Sequence, residues 1–190
     1  MPTLQVSNID RAHLIDWIAK IHNAIEGLKQ ETLHICVNII DYVILHQQIK
    51  YPFVHCLGPT ALLIASKFED IDQPTAQFLS HMSQLIQISK NFSLLRISEP
   101  ITADLIKKLE TQTLICIDFD LQFPSSRRFF EVYSNFVNAS KIHRLFGEFI
   151  LDITLLEVDM LKIYKPSKLA LAALYLVSLR LSFYRPASSI

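Results

Sequence analysis

The chain has 190 residues, 51% of them apolar, and its eighteen Lys and Arg balance eighteen Asp and Glu. That length holds one large domain or two small ones with a real core, and zero net charge removes the electrostatic footprint of a protein drawn to nucleic acid or to an anionic membrane. Three Gly among eight Pro suit packed helices with proline stops and exclude a glycine-rich phosphate loop.

The pattern predicts helices throughout. Asn8 is the expected cap of a first helix, whose stripe of Leu14, Ile18, Ile21 and Ile25 follows three-and-four spacing and ends near Gly27. A second helix is expected from about Glu31 to Gln47, with Leu33, Val37, Ile40 and Ile44 on one face and Cys36, Ile39 and Val43 beside them. Pro52 separates it from a third, the run Thr60–Asp70 (TALLIASKFED) with Pro59 in its first turns, where a missing N–H is tolerated. The body of this helix is apolar and its last turn is charged, so it reads as a central core helix with a functional tip. A fourth helix is expected from Pro74 with Phe78, Met82, Leu85 and Ile86, and a fifth from the cap Thr102 through Leu105, Leu109, Thr113 and Cys116. The segment Gln87–Pro100 stays unassigned.

Asp118–Pro124 reads as an extended linker, after which the helical pattern restarts. Ser125 caps a helix bearing Phe129, Val132, Tyr133 and Phe136; a longer one runs from about Lys141 to Met160; a last one runs from Pro166 to Phe183. The fold class is therefore all-α, with five helices, a linker and about three more. Leu169–Leu181 is apolar on nearly every side, so the last helix is expected to leave an exposed apolar surface, open to self-association, and the second half to be the less stable.

Cys36, Cys56 and Cys116 lie inside apolar helical patterns and read as reduced core thiols. The first ten residues lack the features of a signal peptide, and the runs Val54–Ser66 and Leu169–Leu179 are shorter than the roughly 20 residues that span a bilayer. A soluble intracellular protein is the expectation. His34 and Cys36 point to different faces of one helix, and no His pair at i, i+4 supports a metal. No catalytic residue, metal or cofactor is expected.

Three fragments stand in the order and near the spacing of a cyclin box. Arg11–Trp17 (RAHLIDW) resembles its opening, Glu31–Asp41 (ETLHICVNIID) its second helix, and Thr60–Asp70 its third. Phe123–Tyr133, and Tyr164–Ser167 with the apolar run that follows, are similar to parts of a second box. The resemblance is nearest to mitotic cyclins of the A/B type, with the first box at 8–119 and a partial second at 120–190. It implies a regulatory subunit, not an enzyme, that binds and activates a cyclin-dependent Ser/Thr kinase in nucleus and cytoplasm, with no nucleic acid or membrane as partner. Lys67 and Glu110 match the charged pair that grips the kinase, and Ile64, Phe68, Glu69, Leu114, Phe119 and Leu121 match positions around it. Arg11 and Asp41 match a structural salt bridge. Asp10 and His13, near Trp17, stand where substrate-docking cyclins carry apolar residues, which implies a degraded docking patch. Lys67 and Glu110 are further apart in sequence than the family places them. Seven residues before the box leave no room for the usual preceding helix or for a destruction motif, and the second box would need two more helices beyond the last one. Two other readings are a cyclin-fold module, or truncated cyclin, that does not activate a kinase, and a transcription-factor-type relative, against which the neutral charge counts.

Overall fold

The computed structural model describes residues 6–46, 51–87 and 100–183, and side chains within 6–46, 54–86 and 100–180. Among these residues there are nine α-helices and no strand. The chain divides into two compact units between Phe123 and Pro124.

In the first unit, α1 (Asn8–Asn23), α2 (Gln30–His46), α4 (Ala76–Gln87) and α5 (Ala103–Cys116) surround and pack against α3 (Tyr51–Glu69). The centre is α3 because its whole middle is apolar or small: every residue from Val54 to Ser66 is buried. Pro52 belongs to the first turn of α3 rather than separating it from α2, and Pro59 lies at mid-helix rather than near the start. A mid-helix proline removes one ladder bond and crowds the preceding turn, yet enclosure by four neighbours keeps the helix continuous. Gly58 beside it is a close-approach site, since a Cβ there would lie 2.7 Å from Ile18 of α1.

Several helix ends differ from the sequence expectation. Ser7, not Asn8, caps α1: the Asp10 N–H donates to Ser7 Oγ (3.0 Å), and the Ser7 hydroxyl donates to the Asp10 carboxylate (2.7 Å). This reciprocal cap resembles a capping box. The helix stops at Asn23, and the turn then passes through Gly27 at φ +91°, a conformation that glycine adopts without cost. The fourth helix starts at Ala76 rather than at Pro74, with Thr75 Oγ1 accepting from the Phe78 N–H (3.2 Å). That helix buries Ala76, Leu79 and Ser83, so Phe78 and Leu85 face solvent instead of the core. The unassigned segment falls almost entirely in 88–99, outside the described residues.

Asp118 and Phe119 are not extended. Both take positive φ (52° and 56°) and close α5, the Phe119 N–H reaching Leu114 O (2.9 Å) and the Asp118 N–H reaching Ile115 O (3.1 Å). These are the two bonds of a Schellman stop. Cys116, at that end, is partly exposed rather than a core thiol, while Cys36 and Cys56 are buried. Burial pushes the Cys36 thiol well above its ordinary range, and the charge of Asp41 adds to the effect.

The second unit comprises α6 (Ser126–Phe136), α7 (Lys141–Thr154), α8 (Val158–Ile163) and α9 (Pro166–Phe183). Its core joins Phe130, Leu151, Leu169, Ala170, Ala173 and Leu174. A Cβ on Gly147 would meet the Phe130 ring at 2.1 Å, so glycine is what lets α7 lie against that ring. The single helix expected over 141–160 is two. Thr154 Oγ1 donates to Leu151 O (2.7 Å), the carbonyl that the Leu155 N–H would take in a continuing helix, and Leu155 bonds Asp152 O instead (3.2 Å). That competition between side chain and backbone ends α7. In α9, Leu169, Leu174 and Val177 are buried with Ala170 and Ala173, whereas Leu171, Tyr175, Leu176 and Leu179 are exposed.

Candidate functional site

The charged tip of α3 and the middle of α5 meet at an ion pair. Lys67 Nζ lies 2.6 Å from Glu110 Oε1, with the lysine side chain 47% exposed and the glutamate 16%. The pair stands over a groove of about 540 Å³, walled by Leu63 and Lys67 of α3, by Pro74 and Ala76, and by Lys107 and Glu110 of α5. Forty-three positions separate the two charges in sequence; packing of α3 on α5 brings them together.

Apolar side chains are exposed on the same two helices and at the end of α5. Phe68 follows Lys67, Ile115 lies in the last turn of α5, and Phe119 is exposed just after it. Phe119 holds the left-handed conformation despite its bulk, which costs about 1–2 kcal/mol. The Schellman bonds hold it there. Leu114 and Leu121 are partly buried, and Ile64 lies inside the core.

Glu69 is engaged within the unit. Lys29 Nζ lies 3.1 Å from Glu69 Oε1 and donates to Glu69 O (2.7 Å). Next to it, Asp70 accepts from the Lys29 N–H (2.9 Å) and the Thr32 hydroxyl (2.7 Å), fastening the end of α3 to the start of α2. A carboxylate near a helix start is also favoured by the helix dipole. Sequence reasoning missed this anchor, although an acidic residue closing one helix and a threonine opening another was a readable signal. It missed Lys107 and Ile115 as well, because neither stands in a recognisable motif.

Arg11 and Asp41 form a two-pronged ion pair between α1 and α2, at 2.5 Å (Nε to Oδ1) and 2.7 Å (Nη2 to Oδ2). The arginine side chain is almost fully enclosed. Of the remaining sequence candidates, Asp10 is held by Ser7, His13 is partly exposed, and Trp17 is completely buried. The indole is part of the core and offers no surface for a ligand.

Helices packed around a central helix, a second and smaller helical unit, and a charged pair at the central helix's tip define an all-helical protein of two units. The family profile for the cyclin N-terminal domain matches residues 3–122, and that for the cyclin C-terminal domain matches residues 116–188. The chain belongs to the cyclin family. It is 32% identical over 165 residues to cyclin-B2-1 of Oryza sativa subsp. japonica, covering 87% of this chain and 36% of that protein. It is 30% identical over 163 residues to the G2/mitotic-specific cyclin-B2 of Homo sapiens, covering 86% and 37%. With G2/mitotic-specific cyclin-2 of Medicago sativa it shares 27% over 175 residues, 92% and 48% of the two chains. The chain thus spans between about a third and a half of the length of these curated relatives.

Proposed function

We propose that this chain is a non-catalytic regulatory subunit of cell-cycle control that binds a cyclin-dependent Ser/Thr kinase and activates it, in nucleus and cytoplasm. The observation that carries this reading is the Lys67–Glu110 pair at the rim of the groove, with Phe68 and Phe119 exposed on the same pair of helices and their ends. An ammonium has three donors and a carboxylate two oxygens, so the pair can keep its own bond and still bond a partner's backbone. Exposed aromatic side chains beside it supply the apolar contact that such polar anchors need.

Activation follows from differential binding. A kinase whose regulatory helix moves between an outward and an inward position is shifted inward by a partner that binds that state better. The inward state completes the Lys–Glu ion pair on which phosphoryl transfer depends. The test is co-purification of the tagged chain, identification of the bound kinase, and measurement of that kinase's phosphorylation rate with and without the chain. A stable complex with a large rise in rate is expected. A chain that recovers no kinase and leaves purified cyclin-dependent kinases unstimulated refutes the reading.

A further inference from the structure

On the kinase-binding reading, on which this rests, we propose that Lys107 is a specificity-determining contact, holding an Asp or Glu carboxylate of the kinase segment that fills the groove beside the Lys67–Glu110 pair. Three of the ten residues that line the groove are charged: Lys67, Lys107 and Glu110. Lys67 Nζ already lies 2.6 Å from Glu110 Oε1, so these two charges offset each other. The rest of the lining is neutral, with Gln73, Thr75, Gln77 and Thr111 as its polar members. One uncompensated positive charge is left on the groove, at Lys107.

Lys107 lies one turn before Glu110 on the same side of α5. It is exposed, and among the described residues its side chain makes no ion pair or hydrogen bond, with Glu110 or with Asp104 on the preceding turn. Nothing described within the fold uses this charge. Lys108 is equally exposed but does not line the groove. A partner seated on the Lys67–Glu110 pair covers the groove, and covering an ammonium without a counter-charge is unfavourable. A carboxylate on the partner removes that penalty, whereas a lysine or arginine there is rejected by like-charge repulsion. Along α5 and its end the surface thus runs from Lys107, through the ion pair, to the exposed Ile115 and Phe119. The complementary kinase surface carries its acid at the Lys107 end and apolar side chains at the other.

The test is the affinity of the co-purified kinase for the chain and its variants, with helicity and melting temperature as controls. Lys107→Glu should weaken binding by about tenfold or more, through like-charge repulsion against the kinase acid. Lys107→Ala should weaken it less, and that loss should shrink at high salt. Lys107→Arg should retain binding, and Lys108→Glu should change it little. A scan of Asp→Lys and Glu→Lys substitutions over the kinase surface should find one whose loss of binding Lys107→Glu repairs. Unchanged affinity in Lys107→Glu, with Lys67→Ala/Glu110→Ala still weakening binding, overturns the Lys107 contact and leaves the kinase-binding reading standing. Equal losses from Lys107→Glu and Lys108→Glu, or a scan in which no substitution is repaired, overturns the contact as well. A chain that recovers no kinase, or a kinase indifferent to both Lys107 and the ion pair, brings down the contact together with the reading beneath it.

Discussion

Lys67→Ala/Glu110→Ala separates two jobs that the same ion pair can do. As an internal link between α3 and α5 the pair is half in solvent on the lysine side, and such pairs contribute about 0.2–1 kcal/mol. Its loss should lower the melting temperature of the chain by no more than about 4 °C. As contacts to a kinase the two groups matter far more, because a hydrogen bond to a charged group contributes about 1.5–3 kcal/mol. Even one such bond at the low end is about tenfold in affinity. The double variant should therefore need at least tenfold more protein for half-maximal kinase stimulation, with far-UV circular dichroism unchanged. The reversed pair, Lys67→Glu/Glu110→Lys, is the decisive control. It rebuilds the internal link with opposite polarity, so it should recover thermal stability and not kinase binding. A reversed pair that restores stimulation would show that the charges act only as a staple, and the contact assignment would be wrong. Wild-type stimulation by the double alanine variant would refute it outright.

Further outcomes are expected. Arg-x-Leu peptides should show no saturable binding at micromolar concentrations in a calorimetric titration, since Trp17 is enclosed and Asp10 sets a carboxylate where apolar contact is needed; micromolar affinity would contradict this. Gly147→Ala should destabilise the second unit by about 1–3 kcal/mol through overpacking on Phe130, and Phe130→Leu should relieve part of that cost in a double-mutant cycle of chemical denaturation. With a thiol reagent on the native chain, Cys116 should react well before Cys36 and Cys56. The raised Cys36 pKa means the unfolded thiol ionises above about pH 8.5 while the folded one stays neutral, so this group's contribution to stability falls as pH rises through that point. In hydrogen exchange on the monomeric chain, α9 amides over 169–181 should exchange faster than those of 62–67 in α3, because α9 keeps Leu171, Tyr175, Leu176 and Leu179 exposed; equal protection would contradict the lower stability expected of the second unit.

Helix content was legible in the sequence because burial in a helical fold leaves a periodic record. The stripe of α1, the uniformly apolar middle of α3 and the caps at Thr102 and Ser125 each follow from local rules, and three fragments in the order and near the spacing of the cyclin box suggested the family. Where local rules compete, tertiary structure decided. The cap of α1 is the exception, since Ser7 prevails over Asn8 through a local exchange with Asp10 three residues on. Phe78 and Leu79 are equally apolar neighbours; only the placement of α4 against α3 and α5 buries Leu79 and leaves Phe78 out. Pro59 argues for an early helix position, and the surrounding helices override it. The site shows the same division. Lys67 at the tip of an apolar helix could be singled out from sequence alone, but its 2.6 Å pairing with Glu110 joins residues 43 positions apart, and no local pattern encodes that distance. The exposure of Phe119 likewise depends on two left-handed residues at the end of α5, a conformation its side chain disfavours and only the folded helix end imposes.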